Sequence, residues 1–102
     1  MATATVEGQA LQHSSAARKA RAALVRAQQA PLAIEDIDIA APRADEILVR
    51  MVATGVCHTD VVCANGFPVP MPIVLGHEGA GVVEAVGAKV RGLAVGDHVL
   101  VS

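Results

Sequence analysis

Gly55-Val56-Cys57-His58-Thr59-Asp60 and Gly76-His77-Glu78-Gly79-Ala80-Gly81 bound the stretch on which the reading of this chain turns. Together they bring a thiol, two imidazoles, two carboxylates and a hydroxyl into a short, otherwise apolar span. Working outward, Glu46 to Thr54 (Glu-Ile-Leu-Val-Arg-Met-Val-Ala-Thr) reads as a strand that Gly55 ends. Its aliphatic side chains fall on both faces, so an internal place in a sheet is expected. His58 to Ala64 suits one or two helical turns, which Asn65-Gly66 stops. Pro68, Pro70 and Pro72 then hold an extended loop. Ile73 to Leu75, Ala80 to Val86 and His98 to Val101 read as further strands, with turns at Gly87-Ala88-Lys89 and Gly92 to Asp97.

Upstream, Ala20 to Arg26 and Leu32 to Ile39 read as two strands joined through Gln28-Gln29-Ala30-Pro31, a connection suited to a hairpin. The second strand carries a conflict. Leu32 and Ile34 share one parity, Ile37 and Ile39 the other, so a bulge or bend is expected near Glu35-Asp36. Before it, the segment from Met1 to about Ala17 is rich in Ala, Thr, Gln and Ser without a hydrophobic period. Residues 1–19 are therefore expected to be a disordered extension and residues 20–102 the domain. The pattern is that of a mostly β, irregular antiparallel barrel with a short helical turn after Cys57. Neither a βαβ rhythm nor an internal repeat is visible.

With 102 residues the chain is at most one domain, and small domains bury a limited share of their surface. Hydrophobic residues make up 53% of it, but Phe67 is the only aromatic, so a shallow aliphatic core is expected. A net charge of −2 leaves no basic stripe for nucleic acid. Cys57 and Cys63, six positions apart, do not make a disulfide scaffold. The apolar runs fall short of the roughly 20 residues that span a bilayer. The N-terminus lacks an apolar signal core, and Glu7 weakens a transit-peptide reading of Ser14, Ser15 and Arg18. These features point to a cytoplasmic protein with neither nucleic-acid nor membrane partners.

Cys57 follows one strand and His77 precedes another, twenty positions on, with a stiff Pro-rich connection between them. Zinc favours thiolate and imidazole ligands, and catalytic sites keep an open position. Asp60 and Glu78 stand beside these candidates, where carboxylates orient ligating imidazoles. Thr59 offers a hydroxyl for passing a proton. The bland alternative is a buried inert thiol and a hydrogen-bonded loop histidine, and neither CxxC nor HExxH is present to exclude it. Cys63 lies about 240° around a helix from Cys57 and reads as core. His98 and His13 read as structural or solvated. Gly79-Ala80-Gly81-Val82-Val83-Glu84 begins like a dinucleotide fingerprint, but Glu84 stands at the third glycine position. Close backbone packing explains those glycines better.

The quoted motifs, continued by Pro70-Met71-Pro72-Ile73-Val74-Leu75 before Gly76 and by Val86-Gly87, Val90 and Gly96-Asp97-His98-Val99, resemble the zinc-containing alcohol dehydrogenases of the medium-chain dehydrogenase/reductase superfamily. The resemblance runs from about Ala20 to Ser102 and is strongest to the aryl (benzyl) alcohol dehydrogenases. It implies a GroES-like barrel, an NAD-linked oxidation of alcohols to aldehydes, and a catalytic Zn²⁺. Cys57 and His77 would be two of three zinc ligands, with Glu78 just behind the metal. Thr59 would relay the alcohol proton, Asp60 would hold the His77 ring, and His58 would lie near the cofactor pyrophosphate. Val62 stands where many members carry a relay histidine, and Phe67 is placed to face either the substrate pocket or ordinary packing.

In the family, a four-cysteine structural-zinc lobe, the third catalytic ligand and a Rossmann domain follow the position of Ser102. The resemblance therefore implies an N-terminal catalytic-domain portion, inactive as these residues alone, with NAD and an alcohol or aldehyde engaged in a full-length enzyme. A homo-oligomer is compatible with it. The competing expectation is a non-catalytic GroES-like barrel, either an interaction or co-chaperonin-type module or a gene remnant. It leaves Cys57, Thr59, His77 and Glu78 without a role.

Overall fold

The computed structural model describes residues 18–102. Of the extension expected over residues 1–19, residues 1–17, with His13, lie outside the described residues, whereas Arg18 and Lys19 belong to the first strand, paired with Ile39 and Asp38. Six strands and one helix follow in the order β1 (Arg18–Val25), β2 (Ala33–Ile39), β3 (Ile47–Thr54), α1 (His58–Asn65), β4 (Ile73–Val74), β5 (Gly79–Val86) and β6 (His98–Val101). They form two open three-stranded antiparallel sheets, ordered β2-β1-β4 and β3-β5-β6. The mostly β, antiparallel class expected from the alternating aliphatic runs is what the chain adopts. No helix among the described residues is long and apolar enough to cross a membrane.

The β1–β2 hairpin begins at Arg18 and pairs without interruption from Arg18↔Ile39 to Leu24↔Ala33. The bulge expected near Glu35-Asp36 is absent. The parity conflict is resolved by exposure instead: Leu32 and Ile34 are 61% and 62% exposed, which keeps the ladder regular at the cost of two solvated aliphatics. Glu35 accepts from Arg26 across the hairpin, and Lys19 pairs with Asp38. The irregularities fall in β3–β5 instead, between Leu48 and Val49 and between Met51 and Ala53.

β3 is also not internal. Among the described residues it lies at the edge of its sheet, and β5 occupies the centre. Only its first half is buried, through Ile47 and Val49, whereas Met51 to Thr54 are exposed. The central place goes to β5 because its glycines let neighbouring backbone come close. A Cβ on Gly81 would stand 2.5 Å from the Arg50 carbonyl oxygen and from Val49 Cγ1. Gly79 and Gly81 thus serve strand packing, within a strand and not at a helix N-terminus.

The core is as shallow as the composition suggested. Ile47, Val49 and Val83 are buried together, with Val90, Leu93, Val99 and Val101 packed against them. Full burial of such a side chain contributes roughly 1.5–3 kcal/mol. Gly96 donates to the Val83 carbonyl and Val83 to that of Asp97, both at 2.9 Å, which seats the turn before β6 on this cluster. In the other sheet Leu24 and Val25 are buried at the end of β1. Glu84 on β5 receives Arg18 of β1 at 2.6 Å and Arg50 of β3 at 3.3 Å, an ionic tie between the sheets.

Candidate metal centre

Cys57 is the N-cap of α1, in an extended conformation that turns the chain from β3 into the helix. Asp60, at the third helical position, accepts a hydrogen bond from the Cys57 backbone N–H through Oδ2 at 3.1 Å. This satisfies one of the helix's orphan donors, and a carboxylate in the first turn also complements the helix dipole. At the other end of the connection, Gly76 adopts a φ of 123° that a side chain would strain, and His77 follows it. The Gly55 N–H donates to the Glu78 carbonyl at 2.7 Å. That bond draws the end of β3 and the start of β5 together.

The consequence is a meeting of distant residues. Cys57 Sγ lies 3.5 Å from His77 Nε2. His77 Nδ1 lies 3.9 Å from Asp60 Oδ1, so the one carboxylate faces both the Cys57 backbone and the His77 ring. Candidate ligand atoms of Cys57, Asp60 and His77 all fall within 4.8 Å of one another. Cys57 and Asp60 are half-buried and His77 is exposed, which leaves the group open on one side.

The remaining site candidates are distributed around this group. Glu78 is outside it: a Cβ on Gly55 would meet the Glu78 carboxylate at 3.2 Å, so that side chain lies over Gly55. His58 and Thr59 are exposed in the first turn of α1, and Val62 follows, 39% exposed. Phe67 is 55% exposed just past the helix, with its N–H donating to the Val62 carbonyl at 3.1 Å. Cys63 is a half-buried free thiol outside the group, and His98 is exposed at the start of β6.

A thiol and an imidazole converging from separate elements suit zinc chemically, and the spacing tests the fit. Zinc bonds of roughly 2.3 Å to sulfur and 2.0–2.1 Å to nitrogen, at a tetrahedral angle, separate the two ligand atoms by about 3.5 Å. The observed separation is 3.5 Å. The residues present fit the metal.

Sequence reasoning missed Gln28 and Gln29, which donate from the β1–β2 turn to carbonyls at and just beyond the end of α1. The pair read as a hairpin connection, and nothing local in it signals a partner nearly forty residues away.

Residues 43–102 match the family described as the alcohol dehydrogenase GroES-like domain. Geraniol dehydrogenase of Castellaniella defragrans is 58% identical over 83 residues, covering 81% of this chain and 22% of that protein. S-(hydroxymethyl)glutathione dehydrogenase of Haemophilus influenzae is 50% identical over 84 residues, covering 80% of this chain and 22% of that protein. Among solved structures, benzyl alcohol dehydrogenase from Acinetobacter calcoaceticus superposes with a TM-score of 0.77 at 45% identity, covering 79% of this chain and 23% of that one. The chain thus spans about a fifth of the length of the relatives it matches.

Proposed function

This chain belongs to the zinc-containing alcohol dehydrogenase family through its GroES-like domain, and we propose that it forms the zinc-binding part of an enzyme oxidising alcohols, aryl alcohols among them, to aldehydes with NAD. The observation that carries the proposal is the 3.5 Å approach of Cys57 Sγ to His77 Nε2. A zinc-ligand pair accounts for it, whereas a pure interaction module gives the two residues no reason to meet.

In this reading Cys57 and His77 hold the metal, and Asp60 orients the His77 ring from its far side. Glu78, laid over Gly55, sits behind the ligands as a carboxylate able to approach the metal. Thr59, exposed in the first turn of α1, would relay the alcohol proton, its hydroxyl accepting that proton as it releases its own to solvent, and His58 would lie toward the cofactor pyrophosphate. Zinc held by Cys57 and His77 would supply Lewis-acid polarisation of the alcohol oxygen, and NAD would supply the hydride acceptor. The third ligand and the nucleotide-binding surface belong, in this proposal, to the full-length enzyme. The 102 residues on their own are expected to bind metal without turning over alcohol.

Metal analysis of the purified chain tests the site. One zinc per chain, lost in both Cys57→Ser and His77→Ala, supports it; zinc retained by both variants, or bound only through Cys63, sinks it.

A further inference from the structure

Helix α1 has no buried residue, although Thr59 and Asp60 stand in its first turn and Cys57 caps it. Isolated helices shorter than about 12–15 residues are marginal in water, and α1 has eight. With only Asp60, Cys63 and Ala64 even half-buried, much of its order comes from its ends. At the N-terminal end Asp60 supplies the capping bond. At the other end the Gly66 and Phe67 N–H groups reach the Val62 carbonyl, and the donors to the next carbonyls come from the turn between β1 and β2. The Gln29 backbone N–H donates to the Ala64 carbonyl at 2.7 Å, and its Nε2 to that of Asn65 at 3.2 Å. Gln28 Nε2 donates to the Phe67 carbonyl at 3.0 Å. These carbonyls lie at the helix end and just beyond it, where helices leave acceptors unsatisfied.

Gln29 reaches this position at a cost. Its φ is 63°, the only positive value for a non-glycine among the described residues. Such a conformation persists where its surroundings over-determine it. The same hairpin grips the following loop a second time, because β4 pairs with β1 at Leu24↔Val74 and Val25↔Ile73. The connection from Cys57 to His77 is thus held at the helix end, at Phe67 and at β4, each time by β1 or the turn that follows it.

We propose that the Gln28–Gln29 turn is a positioning clamp for the metal centre, holding α1 and the loop after it so that Cys57 and His77 meet. The proposal rests on the reading of those two residues as ligands. Gln28 and Gln29 touch neither ligand. They act through the helix and the loop.

The test uses the double variant Gln28→Ala/Gln29→Gly in the full chain. Gly adopts a positive φ freely, so the turn can still form, but both side-chain donors are lost. Co²⁺ replaces zinc as the probe, in parent and variant both carrying Cys63→Ser, because its thiolate charge-transfer absorption then reports Cys57 alone. Hydrogen exchange of the Cys57 N–H, measured without metal, reports the far end of α1. Loss of two hydrogen bonds is expected to weaken Co²⁺ binding about tenfold and to speed exchange at Cys57 by a comparable factor. A merely local cap would lower the melting temperature and leave both readouts unchanged, and that result overturns the clamp. If the Cys63→Ser parent shows no thiolate–cobalt band, the ligand reading fails separately. The clamp is then decided by exchange at Cys57 alone: faster exchange in the variant upholds it, unchanged exchange overturns it.

Discussion

Cys57 Sγ and His77 Nε2 stand 3.5 Å apart, although twenty positions separate the two residues along the chain. Neither is brought there by burial, since one is half-buried and the other exposed. The pair depends on hydrogen bonds at its margins, and the Asp60 carboxylate is the group common to both residues.

Asp60→Asn is the substitution that separates its two duties. The amide oxygen can still accept from the Cys57 N–H, but the charge facing the His77 ring is gone. Losing a carboxylate partner of a ligating imidazole typically lowers metal affinity about 10–100-fold. Competition with a chelator of known affinity should show a loss of that size with little change in helix content. An affinity equal to the parent's would remove Asp60 from the site.

Two glycines should respond to alanine for different reasons. A Cβ on Gly87 would stand 2.1 Å from the Arg43 carbonyl and 2.3 Å from that of Ala44. The chain is pinned there by Gly87 N–H to Glu46 O at 2.8 Å and Lys89 N–H to Ala44 O at 2.7 Å. Gly87→Ala must push backbone apart and is expected to cost at least about 1–3 kcal/mol. Gly92 has open space around it but a φ of 80°, so Gly92→Ala is expected to cost about 1–2 kcal/mol through backbone conformation alone. Denaturant unfolding of the two variants checks the order. Gly87→Ala as the milder change would contradict the packing seen around that turn.

Glu84 should carry a small, salt-sensitive share of stability. Its side chain and those of Arg18 and Arg50 are 31%, 56% and 59% exposed, so solvent screens both pairs. Glu84→Gln is expected to cost under about 1 kcal/mol at low salt and less as salt rises. A large, salt-independent loss would mean that Glu84 holds the sheets together by something other than charge.

The Arg26–Glu35 pair predicts a pH dependence. Hydrogen bonds from Arg26 hold the Glu35 carboxyl below its ordinary range; desolvation opposes them and the guanidinium charge adds to them. A carboxylate lowered in the folded state contributes stability that is complete above its unfolded pKa. That contribution disappears as pH falls through the lower folded value. Unfolding midpoints of the parent and Glu35→Gln should therefore differ at neutral pH and converge in acid. Curves that stay parallel would assign no titrating role to the pair.

Most strand positions were readable because aliphatic runs bounded by Gly and Pro are local signals. The helix after Cys57 was readable from its stop at Asn65-Gly66. What was misread depended on partners. Ile34 shows that parity identifies the possible buried faces but not whether an aliphatic side chain is buried at all. β3 reads as internal from its side chains, yet its neighbour's glycines take the central place. The bulges follow from β3–β5 pairing, and no property of β3 alone marks Leu48/Val49 or Met51/Ala53.

The candidate site divides along the same line. By itself the sequence determined the residue types and their order: Cys57, Thr59 and Asp60 on one side of a stiff connection, His77 and Glu78 on the other. It also determined the family, because those motifs are specific. Only the tertiary structure decided that Asp60 joins Cys57 and His77 while Glu78 lies over Gly55, and that Gln28 and Gln29 bond to carbonyls at and beyond the end of the helix between Cys57 and His77. The physical reason is range. Turn chemistry, periodicity and capping act over a few residues and leave a trace in local composition. A hydrogen bond between residues 36 or 39 positions apart leaves none until the chain has closed on itself.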